Sequence, residues 1–402
     1  MITKPGLIHP FQAVLPPPDK AHLVATRSYL TYSDYELKDK LARNPFSYLH
    51  VIHPSGVHAP HGDDMAPVRQ AFERFIERGW LQEDPEPGYY VLRQTSALGE
   101  VTGILGTVPA KAAEQGAVKV HESTLKDREV LFAQYLAQVG LNAEPTLLAH
   151  DPNPALTEVI EGITSAPAQY DFTTADAVRH SLWRATGNTA DRVAKAAAHI
   201  EALYIADGHH RVASSLRLAK AHPEVPSAQS FMTLIVPGDQ LVFKGYHRVL
   251  NSAETHWDLA SCVDLLRAMP EVTANSISAS LPSPSPLHNQ IHLRGAIQLD
   301  LTVDLSETEL TLPEWLQTRV FAPVFGIQTP RTDRRLRYLT EDQWCDLQQT
   351  NFATRLAFIL PPMDFSSLKS VADAGRFMPP KSTWIAPKLR SGLTLFDFGP
   401  IA

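Results

Sequence analysis

The stretch "LYIADGHHRVASSLRLA" constrains the fold more than any other part of the 402-residue chain. Four apolar residues from Leu203 predict a buried strand, and Val212, Leu216 and Ala219 recur at helical spacing. The Asp-Gly pair ahead of that helix predicts a tight turn, because glycine adopts backbone conformations that are closed to other residues. The stretch therefore favours a fold that mixes strands and helices.

The turn also concentrates groups that suit a phosphorylated ligand. Gly208 allows the turn, the helix that follows offers backbone N–H groups to an anion, and Arg211 can bind phosphate oxygens in pairs. Asp207 is a candidate proton acceptor or metal ligand, and His209 and His210 are candidates for stabilising developing charge. In the alternative interpretation Asp207 only caps the helix, and the histidines pack or face solvent.

Composition narrows the class of protein. The chain is 44% hydrophobic and 20% charged, as in soluble globular proteins, and its net charge of -7 argues against binding nucleic acid. No apolar run approaches the roughly 18 residues of a membrane span, and the N-terminus lacks the apolar core of a signal peptide. Only Cys262 and Cys345 occur, so no disulfide framework is expected. We expect a cytoplasmic protein.

Strands and helices alternate irregularly along the sequence, which predicts a mixed α/β fold of the α+β class. Residues 65–80 and 124–140 read as amphipathic helices, and the second has Leu131, Tyr135, Leu136 and Val139 on one face. "GYYVLRQ", "VTGILGTVP" and "AVKVHES" read as strands. The Ser- and Pro-rich residues 276–289 predict a surface loop. We divide the chain into an N-terminal segment (1–84), a core (85–250) and a C-terminal α+β portion (251–402).

"KVHES" supplies Lys119, His121 and Glu122 at the end of a predicted strand. Alternation places Lys119 and His121 on one face and Glu122 on the other. Glu122 is therefore a candidate general base for a substrate hydroxyl. The alternative is that Glu122 caps a helix or pairs with Lys126.

Two further stretches carry candidate anion ligands. In "RHSLWR", helical spacing would bring Arg179 and His180 beside Trp183, although a tryptophan more often anchors a core. In "MPPKSTWIAPKLRSGL", two prolines precede an ammonium and two hydroxyls, so this rigid loop is a candidate cover for the phosphates of a donor. It is equally well explained as a docked tail. The candidates in this loop are Lys381, Ser382, Thr383 and Lys388.

Four histidines lie in a Pro- and Gly-rich stretch that also contains Asp63 and Asp64. Zinc binding uses such residues, but the spacing here is not diagnostic of a zinc site. The stretch therefore predicts a loop, and the question of a metal is left open. The histidines are His50, His53, His58 and His61.

The motifs "LYIADGHHRVASSL", "VKVHESTLKDREVLFAQYL", "NAEPTLLAH" and "VADAGRFMPPKSTWIAPKLRSGL", in that family's order, resemble the prokaryotic domain-of-unknown-function family 1015. The Asp207–Arg211 block also resembles the nucleotide-handling turn of the ParB/sulfiredoxin superfamily, whose free-serine kinases carry the same five residues. Sulfiredoxin itself needs a cysteine where His209 stands, and partition proteins bind DNA, which the acidic charge disfavours.

The resemblance implies a ParB/sulfiredoxin-like core and a small-molecule kinase. Its donor would be ATP, ADP or pyrophosphate with Mg²⁺ held by Asp207, and its acceptor a hydroxylated metabolite, best matched by free L-serine. The protein would act without nucleic acid or membrane, with a homodimer possible. The alternatives are a ParB-like nucleotide-binding or nucleotide-hydrolysing regulator that has no metabolite acceptor, and a scaffold in which the turn is only structural.

Overall fold

The computed structural model describes residues 6–53, 64–251, 258–276, 289–295, 298–348 and 355–401. Within it the chain divides into two compact units. The first comprises Met1–Val120, Thr124–Val242 and Pro387–Ala402, and the second comprises His121–Ser123 and Phe243–Ala386. These compact units do not show which segments fold independently. The division of the chain at residues 84 and 250 therefore stays a prediction. The α+β class is confirmed, because both units combine helices with sheets.

The first unit is built on an eight-stranded mixed sheet with the order β5-β10-β7-β11-β4-β3-β9-β8. Its strands are β3 (Tyr89–Ser96), β4 (Gly99–Pro109), β5 (Val118–Lys119), β7 (Thr146–His150), β8 (Tyr170–Thr173), β9 (Arg179–Ala185), β10 (Leu203–Asp207) and β11 (Ser230–Pro237). Short strands β1 (Val14–Leu15) and β2 (Gln82–Glu83) pair with each other, and β6 (Leu141–Asn142) pairs with β20 (Phe396–Asp397).

The helices of the first unit are α1 (Ala21–Val24), α2 (Asp34–Arg43), α3 (Leu49–Ile52), α4 (Ala66–Glu77), α5 (Ala110–Glu114), α6 (Lys126–Val139), α7 (Pro154–Thr164), α8 (Gly187–Ala197) and α9 (His209–Ala221). Of these, α1, α5, α7, α8 and α9 pack against the sheet, whose central strands are buried along most of their length. One core joins Val91 and Ile235 of the sheet to Val159 of α7 and Val193 of α8. Burying such apolar side chains stabilises a fold by about 1.5–3 kcal/mol each.

The second unit is built on a six-stranded antiparallel sheet with the order β14-β16-β15-β18-β13-β17. Its strands are β13 (Tyr246–Asn251), β14 (Val272–Ser276), β15 (Gln290–Gly295), β16 (Leu299–Val303), β17 (Leu336–Thr340) and β18 (Arg355–Ile359), and β12 (Val242–Lys244) pairs with β19 (Trp384–Ala386). The helices are α10 (Leu259–Arg267), α11 (Leu312–Trp315), which continues as a π-helical turn (Leu316–Phe321), α12 (Glu341–Gln348) and α13 (Phe365–Asp373). Aromatic packing of Phe321 on Phe358, with ring centroids 5.1 Å apart, closes its core.

Three local predictions need correction. "RHSLWR" is strand β9 and not a helix, because its residues pair with β3 and β8 on both sides. "AVKVHES" keeps only Val118–Lys119 as a strand, and Glu122 forms an isolated parallel bridge with Met378. Leu131, predicted on the packed face of α6, is 46% exposed. Most of the predicted Ser- and Pro-rich loop, residues 277–288, lies outside the described residues.

Candidate functional site

The Asp-Gly turn joins β10 to α9, as predicted from the sequence. β10 is buried up to Ala206, and Gly208 then adopts a φ of +99° before α9 begins at His209. A side chain at residue 208 would place its Cβ 2.9 Å from Nε of Arg211 and 3.1 Å from Cγ2 of Thr146. Glycine is therefore required here both by the backbone conformation and by the space that the Arg211 guanidinium occupies.

Four charged side chains meet at this turn. Asp207 accepts hydrogen bonds from Nη2 of Arg211 at 3.0 Å and from Nζ of Lys388 at 2.9 Å. Arg211 also donates from Nη1 to Glu144, whose second carboxylate oxygen accepts from the Ser391 hydroxyl at 3.0 Å. The N-cap residue of α9 is Gly208, which provides no side-chain cap, and the Asp207 carboxylate pairs with Arg211 and Lys388. Two carboxylates and two cations thus form one network that remains partly open to solvent.

Charge and burial fix the protonation states in this network. Burial acts to raise the pKa of Asp207, but Lys388 and Arg211 outweigh it and hold that pKa below its ordinary value. Burial lowers the pKa of His209 to about 4, so its imidazole is neutral at physiological pH. An efficient general base has a pKa near the working pH, whereas the pKa of Asp207 is lowered. Asp207 therefore suits the role of a partner for cations better than that of a general base.

The first unit places His180 in a second polar cluster. The His180 ring is fully buried on β9, stacks on Phe172, and accepts from Nε of Arg390 at 3.4 Å. Arg390 also binds Asp176 with two contacts of 2.7 and 2.8 Å. Burial and the nearby Arg390 lower the pKa of His180 to about 4.

The structure places two other predicted anion ligands of the first unit differently. Arg179 points away from His180, because neighbouring strand residues alternate, and Asp171 binds its guanidinium at 2.6 and 2.7 Å. Lys119 lies on β5, opposite Tyr204 of β10 and therefore on the strand next to the turn.

The remaining candidates lie in the second unit. His121 is buried, and its Nε2 is 3.5 Å from the Thr383 hydroxyl. Glu122 accepts from Nη2 of Arg331 at 3.2 Å, so its ion-pair partner here is this arginine rather than Lys126. Ser382 donates to the carbonyl of Pro379 at 2.7 Å.

Sequence reasoning missed several residues of these networks. Glu144 lies in the "NAEPTLLAH" motif and Arg331 in the basic run "PRTDRRLRYL", but neither carries a local signal for its partner. Glu144 is separated from Arg211 by 67 residues, so only the folded sheet brings them together. The other residues missed were Asp176, Arg390 and Ser391.

Metal and membrane signals are absent from the part of the chain that the structure describes. No group of three or more His, Cys, Asp or Glu side chains that could hold a metal ion converges there. His50 contacts the carbonyl of Asn44 at 3.1 Å and His53 packs against Tyr29, whereas His58, His61 and Asp63 lie outside the described residues. Among the described helices, none is long and apolar enough to cross a membrane.

Solved structures that resemble this chain were found at low similarity. SbnI from Staphylococcus aureus, with a C-terminal truncation, gives a TM-score of 0.38 at 9% identity, covering 70% of this chain and 82% of that one. A conserved hypothetical protein from Pyrococcus furiosus gives 0.36 at 14% identity, with 71% and 93% covered. A mutant of free serine kinase in complex with ADP gives 0.37 at 13% identity, with 71% and 91% covered.

A comparison with curated proteins found no match. The family comparison did find one: the model described as "Protein of unknown function (DUF1015)" matches residues 8–353. This match spans most of the chain and includes the Asp207–Arg211 turn, Glu144 and Glu122. The chain therefore belongs to the DUF1015 family.

Proposed function

We propose that this protein is a phosphotransferase with a ParB/sulfiredoxin-like core. It moves a phosphoryl group from a nucleotide or pyrophosphate to the hydroxyl of a small metabolite, with free L-serine as the first candidate. The observation that carries the proposal is the convergence of Arg211 and Lys388 on Asp207, directly at the start of the 13-residue helix α9.

This arrangement suits a donor phosphate for two physical reasons. A helix offers no internal acceptor to the backbone N–H groups of its first turn, and its dipole favours an anion there. The Arg211 guanidinium can bind two phosphate oxygens, and Lys388 adds a compact positive charge. Both side chains are partly exposed, so phosphate oxygens can replace carboxylate oxygens as their partners.

The carboxylates of the same network bear on the proposed Mg²⁺. Proteins bind Mg²⁺ through one or two carboxylates together with substrate phosphates, and Asp207 and Glu144 offer this donor set on either side of Arg211. Asp207 would hold the ion, whose chemistry is to neutralise charge on the transferring group. Asp207 is kept ionised by Lys388 and Arg211, which is the state a metal ligand needs.

The other roles also remain proposals. Neutral His209 would donate a hydrogen bond to developing charge, and His210 shares its position at the start of α9. Glu122 is proposed as the base for the acceptor hydroxyl. Donor contacts are proposed for Lys119, His121, Arg179, His180, Lys381, Ser382 and Thr383.

The central experiment is a transfer assay on the full chain. ATP, ADP and pyrophosphate would each be offered with and without Mg²⁺ against L-serine, L-threonine and L-homoserine, and phosphate esters detected by ³¹P NMR. We expect an ester only when an acceptor is present. Hydrolysis of the donor at the same rate with and without an acceptor would instead support the nucleotide-hydrolysing regulator. Absence of any reaction with all three donors would support the scaffold.

Arg211→Lys tests the turn itself. Lysine keeps the charge but loses the paired geometry, so we expect donor affinity to fall about tenfold, the equivalent of one charge-assisted hydrogen bond. Stability without donor should change by no more than about 1 kcal/mol, because the ion pairs of Arg211 are partly exposed. Calorimetric titration and thermal unfolding measure the two quantities.

The matched control is Arg217→Lys, an exposed arginine on the same helix. It should leave donor affinity unchanged. Equal affinity in both variants, or unfolding of Arg211→Lys without donor, would mean that Arg211 serves the structure and not the donor.

A further inference from the structure

Arg248 is a buried cation in the second unit. It lies on β13, and its side chain is among the most deeply buried charged groups of the described residues, with 2% of the residue exposed. Nη1 donates to the carbonyl of Tyr246 at 2.6 Å, and Nη2 donates to the Ser382 hydroxyl at 3.4 Å. The guanidinium carbon also lies 5.6 Å from the centre of the Tyr338 ring, on the neighbouring strand.

None of these contacts supplies a negative charge. Buried charges in proteins are normally paired, because an unpaired ion loses its hydration without compensation. The other buried arginine of the described residues follows this rule, because Arg390 binds Asp176. Arg248 forms no ion pair with any described carboxylate. Burial accordingly lowers its pKa to about 10.

A second cation, Lys381, lies near Tyr246. The ammonium of Lys381 is 5.4 Å from the centre of the Tyr246 ring, and it too forms no ion pair with a described carboxylate. Ser382, the next residue, places its hydroxyl between the Pro379 carbonyl and Arg248. A guanidinium has five N–H donors, and described protein atoms accept from two of those on Arg248. The cluster therefore has donors and positive charge in excess of its acceptors.

The geometry points to a binding site for a small oxyanion, a carboxylate or a phosphate group, formed by Arg248, Ser382 and Lys381. Guanidinium binds either group through two parallel hydrogen bonds, and the Lys381 ammonium adds further donors. The single hydroxyl proton of Ser382 goes to the Pro379 carbonyl, so Ser382 contributes by accepting from Arg248 and holding its guanidinium in place. The bound anion supplies the counter-charge that Arg248 lacks. This site belongs to the second unit and includes Lys381 and Ser382, which are also proposed as donor contacts. Binding of a small anion at it does not depend on the proposed transfer reaction.

Binding of small anions to the full chain tests the proposal. Inorganic phosphate and L-lactate serve as the phosphate and carboxylate probes, lactamide as the uncharged control, and sodium chloride keeps ionic strength constant. We expect saturable binding of at least one of the two anions by calorimetry, with none for lactamide. Binding of inorganic phosphate would identify the ligand group as a phosphate, and binding of L-lactate would identify it as a carboxylate. Absence of saturable binding by both anions would overturn the proposal.

Variants locate the bound anion. Arg248→Met keeps the length of the side chain and removes its charge, so the dissociation constant should rise about tenfold or more. Lys381→Met and Ser382→Ala should weaken binding by a smaller factor, and Lys381→Met changes an exposed side chain, so it keeps the test valid if Arg248→Met does not fold. Lys369→Met, at an exposed lysine of α13, is the matched control.

The variant Arg211→Lys distinguishes anion binding at Arg248 from anion binding at the Asp-Gly turn of the first unit. Phosphate binding that survives Arg211→Lys and is lost in Arg248→Met or Lys381→Met assigns the site to the second unit. Binding that is lost only in Arg211→Lys would place the anion at the Asp-Gly turn and overturn the assignment to Arg248.

Discussion

Gly208 shows how a single residue decides the geometry of the turn. Its φ of +99° lies in a region that favours glycine, and Nε of the Arg211 guanidinium is only 2.9 Å from where a Cβ would stand. The guanidinium is thereby held against Asp207 and Glu144, and close to the first turn of α9. The sequence correctly predicted a glycine turn here, but the role of Gly208 as the seat of Arg211 follows only from the structure.

Gly208→Ala should therefore weaken donor binding as well as the fold. We expect a loss of about 1–3 kcal/mol in the free energy of unfolding from the backbone conformation, and a displaced Arg211 that binds donor phosphate poorly. The control is Gly116→Ala, where φ is +81° and a Cβ would meet nothing within 4 Å. It should lose stability but keep donor affinity in calorimetry. If Gly208→Ala binds donor as tightly as Gly116→Ala, contact between residue 208 and Arg211 is unimportant for binding.

At the scale of elements, the C-terminal strap (residues 387–395) is as much a part of the first unit as its helices. Leu393 and Leu395 are buried, and backbone hydrogen bonds join Ser391 to Thr26 and Leu395 to Val14. The same strap carries Lys388, Arg390 and Ser391 into the polar networks. The strap is therefore docked, as one of the sequence-based alternatives expected, and it brings Lys388 to the turn. Its role as a cover for the donor stays a proposal.

Removal of the strap and substitution of its lysine should have different effects. Deleting residues from Pro387 onward exposes the surfaces that Leu393 and Leu395 cover, and buried leucines stabilise by about 2–5 kcal/mol each, so the first unit should unfold. Lys388→Met removes a half-exposed ion pair, so stability should change by no more than about 1 kcal/mol. We expect donor affinity to fall about tenfold in this variant.

Circular dichroism and calorimetric titration measure these effects. Lys220→Met, at an exposed lysine in the last turn of α9, is the control for a lost surface charge. Should Lys388→Met bind every donor as the wild type does, the strap would have a structural role alone.

Elements with a strong local pattern were predictable, and elements defined by their partners were not. Helix α4 follows from the spacing of Val68, Phe72 and Phe75, all of which are buried. Strand β9 was misjudged because "RHSLWR" is too short to separate helical from alternating spacing, and its pairing with β3 and β8 decides the outcome. Leu131 was placed in a core by the same periodicity, which does not reveal how far the neighbouring elements extend.

At the scale of the whole molecule, the candidate residues of the sequence fall into both units. The turn, Lys119, Arg179, His180 and Lys388 belong to the first unit, and His121, Glu122 and residues 381–383 belong to the second. The ion pair of Asp207 with Lys388 spans 181 residues of sequence. Such pairs depend on the order of strands in the sheet and on where the C-terminal segment packs. Local periodicity in the sequence predicts neither. The sequence therefore predicted the tight turn that carries Asp207 and Arg211 but not its carboxylate partner Glu144.

Stability of the first unit should fall as the pH drops from about 6.5 to 4. His180 and His209 are buried and neutral, with pKa values lowered from 6.5 to about 4, so protons bind to the unfolded chain first. The stabilisation is complete above pH 6.5 and is lost as the pH falls through that window. By pH 5 each histidine should cost about 2 kcal/mol, since one pKa unit corresponds to about 1.4 kcal/mol.

His180→Gln isolates one of these contributions. The glutamine amide can still accept a hydrogen bond from Arg390 but does not titrate, so the variant should lose about 2 kcal/mol less than the wild type between pH 7.5 and pH 5. His199→Gln, at an exposed histidine after α8, is the control and should follow the wild type. Hydrogen exchange in peptides from β9 and β10, followed by mass spectrometry at both pH values, reports on the first unit alone. Identical losses of protection in His180→Gln and the wild type would show that His180 is not a source of the acid sensitivity.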